Sequence, residues 1–118
     1  MRRILIIDDD LEILRMLERI LKKLDYDVVC ASGMAQAHGI LQSSSMDAIV
    51  LDLIVGKDSG WQALTDIDQR YGTPVILMTG GNVDEDVRKD AQLLGAKDIL
   101  QKPFTHESLA AALKAALP

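Results

Sequence analysis

The 118-residue sequence predicts an α/β fold in which five strands of a parallel sheet alternate with five helices. The first observation behind this is a series of short apolar runs without polar alternation: Ile4 to Ile7, Val28 to Cys30, Ala48 to Leu51, Val75 to Met78 and Ile99 to Leu100. Strands buried on both faces have this texture. The second is that segments of helical length separate the runs. Parallel neighbours need a long connection, and a helix supplies it as a right-handed crossover. The third is that the polar residues cluster at the carboxyl ends of the runs.

Taken in order, the first helix, from about Leu11 to Leu24, sets Leu11, Leu14, Leu17, Leu21 and Leu24 at helical spacing to cover one side of the sheet. A second apolar series, Ile13, Met16 and Ile20, widens this stripe to about 220° of the circumference. Such width fits either a deeply buried helix or an apolar docking patch. Ser32 and Ser59 are candidate caps for the second and third helices. Asn82 followed by Glu85 reads as a capping box for the fourth, and the fifth begins at Thr105 after Lys102-Pro103. With no linker, repeat or low-complexity tract, residues 1–118 read as one domain with one core.

The 18 acidic residues against 13 Lys and Arg leave a net charge of −5, which argues against a surface built to neutralise nucleic-acid phosphates. No apolar stretch reaches membrane-spanning length and the first run meets three aspartates at once, so a cytoplasmic location is expected. Cys30, the only cysteine, excludes an internal disulfide and is expected to be a buried, inert thiol. His38 and His106 read as surface or cap residues, and Trp61 as packing at the third helix.

Asp8 and Asp9 end the first strand, Asp52 the third, Thr79 the fourth and Lys102 the fifth. In an open parallel sheet these ends share one edge, and ligands bind in the crevice where the strand order reverses. Each residue alone has an ordinary explanation: Asp9 or Asp10 as a helix cap, Thr79 as a loop residue beside Gly80-Gly81, Lys102 as a solvated lysine. Asp52 is harder to explain so, because apolar residues flank it on both sides. Three clustered carboxylates raise one another's pKa unless a positive charge sits among them. Mg²⁺ takes oxygen ligands and commonly shares its shell with a phosphate, which fits Asp9 and Asp52 as direct ligands and Asp8 through water. Lys102 adds a second positive charge for phosphoryl oxygens, and Thr79 a small hydroxyl donor.

The strings Ile4-Leu5-Ile6-Ile7-Asp8-Asp9-Asp10, Ala48-Ile49-Val50-Leu51-Asp52-Leu53, Pro74-Val75-Ile76-Leu77-Met78-Thr79-Gly80, and Gly95-Ala96 leading to Lys102-Pro103-Phe104 resemble the receiver domain of two-component response regulators. The similarity covers essentially the whole chain. It implies a doubly wound, flavodoxin-like sheet in the order 2-1-3-4-5, which the general rules for such sheets exemplify with a chemotaxis member of this family. It implies that Asp52 takes a phosphoryl group from a sensor histidine kinase, a histidine phosphotransferase or a small acyl phosphate. Mg²⁺, with Mn²⁺ as the alternative, would be held by Asp8, Asp9, Asp52 and the backbone carbonyl of Ile54, with Lys102 on the phosphoryl oxygens and Thr79 moving towards them. The domain would then be a phosphoacceptor switch that assists its own phosphorylation and dephosphorylation, not an enzyme acting on another substrate. The implied downstream partner is a separate protein or a covalently linked output domain, with no direct nucleic-acid contact by this domain, no membrane and no small organic cofactor. Ile13, Met16, Pro103 and Phe104 become the expected docking patch for the kinase or phosphotransferase.

Two positions depart from the family pattern, and two more bear on phosphate lifetime. Gly56 stands where a proline is usual, which predicts a looser loop from Val55 to Gly60. Ile99 stands where many members carry the aromatic that swings inward as the threonine moves. Ile54 and Gly81 occupy the two positions that tune phosphate lifetime, and neither side chain can orient a water, so a persistent phosphoryl group is expected. Two other classes compete. A haloacid dehalogenase-type phosphatase would use Asp8 and Asp10 but leave Asp52 without a role, and a receiver-like interaction module that is never phosphorylated would not need all five site residues.

Overall fold

The computed structural model describes residues 1–55 and 58–118. Five strands, β1 (Arg3–Ile7), β2 (Asp27–Ala31), β3 (Ala48–Asp52), β4 (Val75–Thr79) and β5 (Ala96–Gln101), form one parallel sheet in the order β2-β1-β3-β4-β5. Between them run α1 (Leu11–Lys23), α2 (Met34–Ser43), α3 (Gly60–Arg70), α4 (Glu85–Leu93) and, last, α5 (His106–Ala116). This is the expected doubly wound order. One small addition, Ile54–Val55 paired antiparallel with Asp58–Ser59, follows β3. Gly56 lies outside the described residues.

Strand alternation divides the core into two layers. Leu5, Ile7, Ile49, Leu51, Val75, Leu77 and Ile99 face α2, α3 and α4, whereas Ile4, Ile6, Ala48, Val50, Ile76, Met78 and Leu100 face α1 and α5. The apolar positions of the inner strands β1, β3 and β4 are all buried, which is why their runs are continuous. β5 starts earlier than its apolar run because it is an edge strand and tolerates exposed Lys97 and part-exposed Asp98.

In α1 the buried face is Leu14, Leu17, Ile20 and Leu21, while Leu11 and Leu24 are exposed, so the expected five-leucine stripe holds only in its middle. Thirteen residues of helix run about 20 Å against about 17 Å for a five-residue strand, and the terminal leucines overhang the sheet. The fourth helix starts at Glu85, not at Asn82, because the Asp84 carboxylate is its cap and accepts from the Val87 N–H at 2.9 Å. Gly33 occupies the cap position of α2, and Ser32 instead donates through its N–H and hydroxyl to Gln36 Oε1. Ser59 stands at the cap position of α3 but makes no capping bond through its side chain. Thr105 does open α5, in a reciprocal box with Ser108.

Two glycines fix how the elements join. Gly95 turns the chain from α4 into β5 at φ +107°. Gly60 begins α3 against the backbone of Leu53, donating its N–H to the Leu53 carbonyl at 2.6 Å.

Candidate functional site

The polar strand ends meet where β1 passes between β2 and β3, the point at which the order of connections reverses. Asp8 follows the last residue of β1 and is 1% exposed; its N–H donates to the Ala31 carbonyl of β2 at 3.2 Å, which fixes its backbone. Its Oδ1 accepts from the Asp10 N–H at 2.9 Å, and Asp10 in turn caps α1 by accepting from the Glu12 N–H at 3.0 Å. In the Asp8-Asp9-Asp10 run, the third acid is therefore the cap, and the exposed second is left to face the site.

Asp52 closes β3 with its side chain 13% exposed. The Ile54 N–H lies 3.4 Å from Asp52 Oδ1, and Lys102 Nζ lies 3.2 Å from Oδ2. The same ammonium is 3.2 Å from Asp8 Oδ2, so one cation bridges the acids of two adjacent strands. Lys102 reaches them from beyond β5, its backbone held by an N–H bond of 2.7 Å to the Thr79 carbonyl. Thr79 ends β4, the neighbour of β3, and its Oγ1 accepts from the Gly81 N–H at 3.0 Å.

The electrostatics follow from this crowding. Burial pushes the Asp8 carboxyl above its usual range, and the Asp52 charge pushes the same way, against the Asp10 N–H and Lys102. For Lys102 burial pulls the ammonium down, but the two carboxylates together outweigh it and the net shift is upward. The lysine is thus a firmly held cation. Oxygens of Asp8, Asp9 and Asp52 lie within 4.8 Å of one another, among them one ammonium, so negative charge remains in excess. Three carboxylate oxygens at that spacing suit a hard divalent cation in both reach and donor type.

The docking residues expected from the sequence also converge. Ile13 is half-buried, Met16 is 46% exposed, and both line one cleft with Lys102, Pro103 and Phe104. The Lys102-Pro103 peptide is cis. Ile54 is 70% exposed two residues after Asp52, and Ile99 is 2% exposed, packed in the layer that faces α4. Cys30 is half-buried, not buried as expected, with Sγ 3.8 Å from Glu18 Oε2; burial and that carboxylate push its thiol up. His106 is exposed as the first residue of α5, but His38 is half-buried, with Nε2 3.5 Å from Asp66 Oδ2 across α2 and α3, a pairing that sequence spacing did not signal. Trp61 packs in the first turn of α3 as expected. Sequence reasoning also missed Gln101, whose Oε1 accepts from the Val83 N–H at 3.2 Å; nothing in a lone glutamine after an apolar pair marks it.

Residues 4–114 match the family described as the response regulator receiver domain. Among curated relatives, the chain is 35% identical over 117 residues to the transcriptional regulatory protein CpxR of Klebsiella pneumoniae, covering 99% of this chain and 50% of that protein. It is 34% identical over 115 residues to the transcriptional regulatory protein YvrH of Bacillus subtilis, covering 97% and 48%. The chain thus spans about half the length of these relatives. A receiver domain protein from Clostridium thermocellum superposes with a TM-score of 0.89 at 30% identity, covering 98% of this chain and 94% of that one. A response regulator from Burkholderia pseudomallei, solved with a phosphorylated aspartic acid, a calcium ion and citrate, superposes with a TM-score of 0.84 at 28% identity, covering 96% and 66%. With the sheet order, the strand-end acids and lysine, and these likenesses in agreement, the chain belongs to the response regulator receiver domain family.

Proposed function

We propose that Asp52 is the phosphoacceptor of this receiver domain, with a divalent cation, Mg²⁺ or alternatively Mn²⁺, held by Asp8, Asp9, Asp52 and the Ile54 carbonyl. The observation that carries this reading is the bridge from Lys102 Nζ to Asp8 and Asp52, 3.2 Å each, beside carboxylate oxygens at metal-ligand spacing. When bound, such a cation supplies charge neutralisation for the transferring group. An Asp52 oxygen attacks the phosphorus of a phosphohistidine on a kinase or phosphotransferase, the P–N bond breaks, and the imidazole leaves with the bonding pair. Lys102, already at the rim of the acceptor, exchanges part of its carboxylate contact for phosphoryl oxygen. The Thr79 hydroxyl turns from the Gly81 N–H to donate to the phosphoryl group, and the segment after it takes a new pose.

In this reading the domain acts in the cytoplasm, takes no small organic cofactor and makes no direct contact with nucleic acid or membrane. Its upstream partner docks on Ile13, Met16, Pro103 and Phe104, which satisfy the condition that an apolar patch be reachable at the mouth of the site. Its output is a downstream protein or a covalently linked domain. Ile54 has no polar side-chain atom and Gly81 no side chain with which to orient an attacking water, so the acyl phosphate persists; self-hydrolysis within seconds contradicts this. Intact mass after incubation with acetyl phosphate and Mg²⁺ tests the assignment. One phosphoryl gain, labile to hydroxylamine and absent in Asp52→Ala, supports it, and an unchanged mass or a gain retained in Asp52→Ala refutes it. Turnover of a generic phosphate ester would instead favour the phosphatase class, against which Asp10 already stands as a helix cap.

A further inference from the structure

We propose that Gln101 is a positioning residue that latches the β4–α4 loop in its unphosphorylated pose and couples movement of Thr79 to β5 where Ile99 cannot. This rests on the reading of Asp52 as acceptor and Thr79 as the responding hydroxyl. Thr79 and Gln101 are partners in the β4–β5 ladder, and the next residue, Lys102, bonds back to the Thr79 carbonyl at 2.7 Å. From this anchored point the chain runs through Gly80, Gly81 and Asn82 to Val83, whose N–H donates to Gln101 Oε1 at 3.2 Å.

The loop is therefore tied at two points and loose between them. A Cβ at Gly80 would meet nothing within 4 Å, and one at Gly81 only the Thr79 hydroxyl at 3.5 Å, so no neighbour crowds the side-chain positions of the intervening glycines. Its fixed contacts are the two hydrogen bonds, Gly81 N–H to Thr79 Oγ1 and Val83 N–H to Gln101 Oε1. Thr79 cannot give its hydroxyl hydrogen to a phosphoryl oxygen on Asp52 by turning towards β3 and keep the Gly81 bond in its present geometry. Once that bond goes, the Gln101 latch is, among the described residues, the remaining side-chain hydrogen bond to the loop before α4, beside the packing of Val83.

The latch also lies where a signal can leave. Gln101 and Ile99 are two residues apart on β5, so they share the face turned towards α4, and Val83 packs on the same core layer as Ile99. Beyond Val83, the Asp84 cap and the ion pair from Arg88 to Asp98 at 3.1 Å join α4 to β5 as one unit. Ile99, buried and unable to hydrogen-bond, can change only its packing; the Gln101 amide two residues on makes or breaks a directional contact. A surface polar residue thus serves the coupling that an aromatic serves in many relatives.

Gln101→Leu removes the acceptor at similar size, whereas Gln101→Glu keeps an acceptor at the same reach. Gln101 is exposed, so both variants fold. Amide hydrogen exchange in the unphosphorylated, Mg²⁺-loaded protein reads the latch directly. The expected result is faster exchange at Val83 in Gln101→Leu and near-parental exchange in Gln101→Glu. Phosphorylation by acetyl phosphate, followed by intact mass, reads the coupling: release of one ordinary hydrogen bond shifts a two-state equilibrium about twofold to tenfold, and Gln101→Leu should gain that factor in rate. Unchanged Val83 exchange overturns the latch, and faster exchange without a faster mass gain overturns the coupling. If the parent gains no mass, the acceptor reading itself falls and takes the coupling with it, and Val83 exchange still decides whether the latch exists.

Discussion

Substituting Gly60 by alanine should destabilise the domain, although the same change at an ordinary helical position stabilises it by about 0.5–1 kcal/mol. Gly60 has no left-handed backbone to protect, so the effect is one of space alone. A Cβ there would stand 2.4 Å from Leu53 Cα, 2.6 Å from the Asp52 carbonyl oxygen and 2.7 Å from the Leu53 oxygen. The first of these is about 1 Å inside the ~3.5 Å at which carbon atoms pack. All three atoms are backbone, and they cannot yield independently. Leu53 is pinned by its N–H bond of 2.9 Å to Met78 and by its carbonyl's 2.6 Å bond from Gly60 itself. Relief requires α3 to move off the end of β3, at a cost of about 1–3 kcal/mol as in other overpacked sites. Because the Asp52 carbonyl is among the atoms displaced, phosphoryl uptake should slow as well. Urea unfolding followed by circular dichroism measures the first effect, with Gly39→Ala as the control: that glycine lies in α2 with nothing within 4 Å of its Cβ position and should gain stability. If Gly60→Ala matches Gly39→Ala in midpoint, the close approach does not govern this junction.

Asp8→Asn should raise the unfolding free energy of the metal-free protein by about 1 kcal/mol, read as a higher urea midpoint, because it relieves the surplus of carboxylate over ammonium in a buried cluster. It should also abolish the extra stability gained on adding Mg²⁺; a variant that keeps that gain would remove Asp8 from the cation site. The Cys30 thiol, raised by burial and then by Glu18, stays protonated at neutral pH; stability owed to it is present below its unfolded pKa and is lost as pH climbs through the higher folded value. Iodoacetamide should therefore alkylate Cys30 more slowly than a free cysteine peptide at mildly alkaline pH, and Glu18→Gln should speed the reaction; equal rates in parent and variant would remove the carboxylate as a cause. Asp84→Ala should cost about 1 kcal/mol in urea unfolding and Asn82→Ala much less, since only Asp84 caps α4. The reverse order would restore Asn82 as the helix start.

The strands and the candidate site were legible because both are written in features that neighbouring residues cannot mimic, whereas the strand order came only with the family resemblance. Ile49-Val50-Leu51-Asp52 announces a buried strand and its polar end in a single string, and the same grammar holds for β1 and β4. Lys102 was legible only through its company, since a lysine before proline carries no signal until Asp8 and Asp52 are placed beside it. Helix starts were legible to the extent that one cap outcompeted others. Thr105 had no rival, whereas Asn82 and Asp84 both offered an oxygen, and the charged carboxylate three residues before Val87 prevailed. The two-residue pairing after β3 and the Gln101 contact with Val83 depend on chain paths brought together by the fold, and no periodicity encodes them.

The lysine bridge joins residues 94 and 50 positions apart in the chain. During synthesis the three aspartates leave the ribosome long before the ammonium that will neutralise them, and β5 must add to the edge of the sheet before it arrives. A nascent domain halted between α4 and β5 therefore carries Asp8 and Asp52 without the Lys102 ammonium that bridges them. If Asp52 is the acceptor as proposed, its chemical competence would come only after β5 has joined the sheet edge and delivered Lys102, so a phosphorylated chain would be one folded to its far edge.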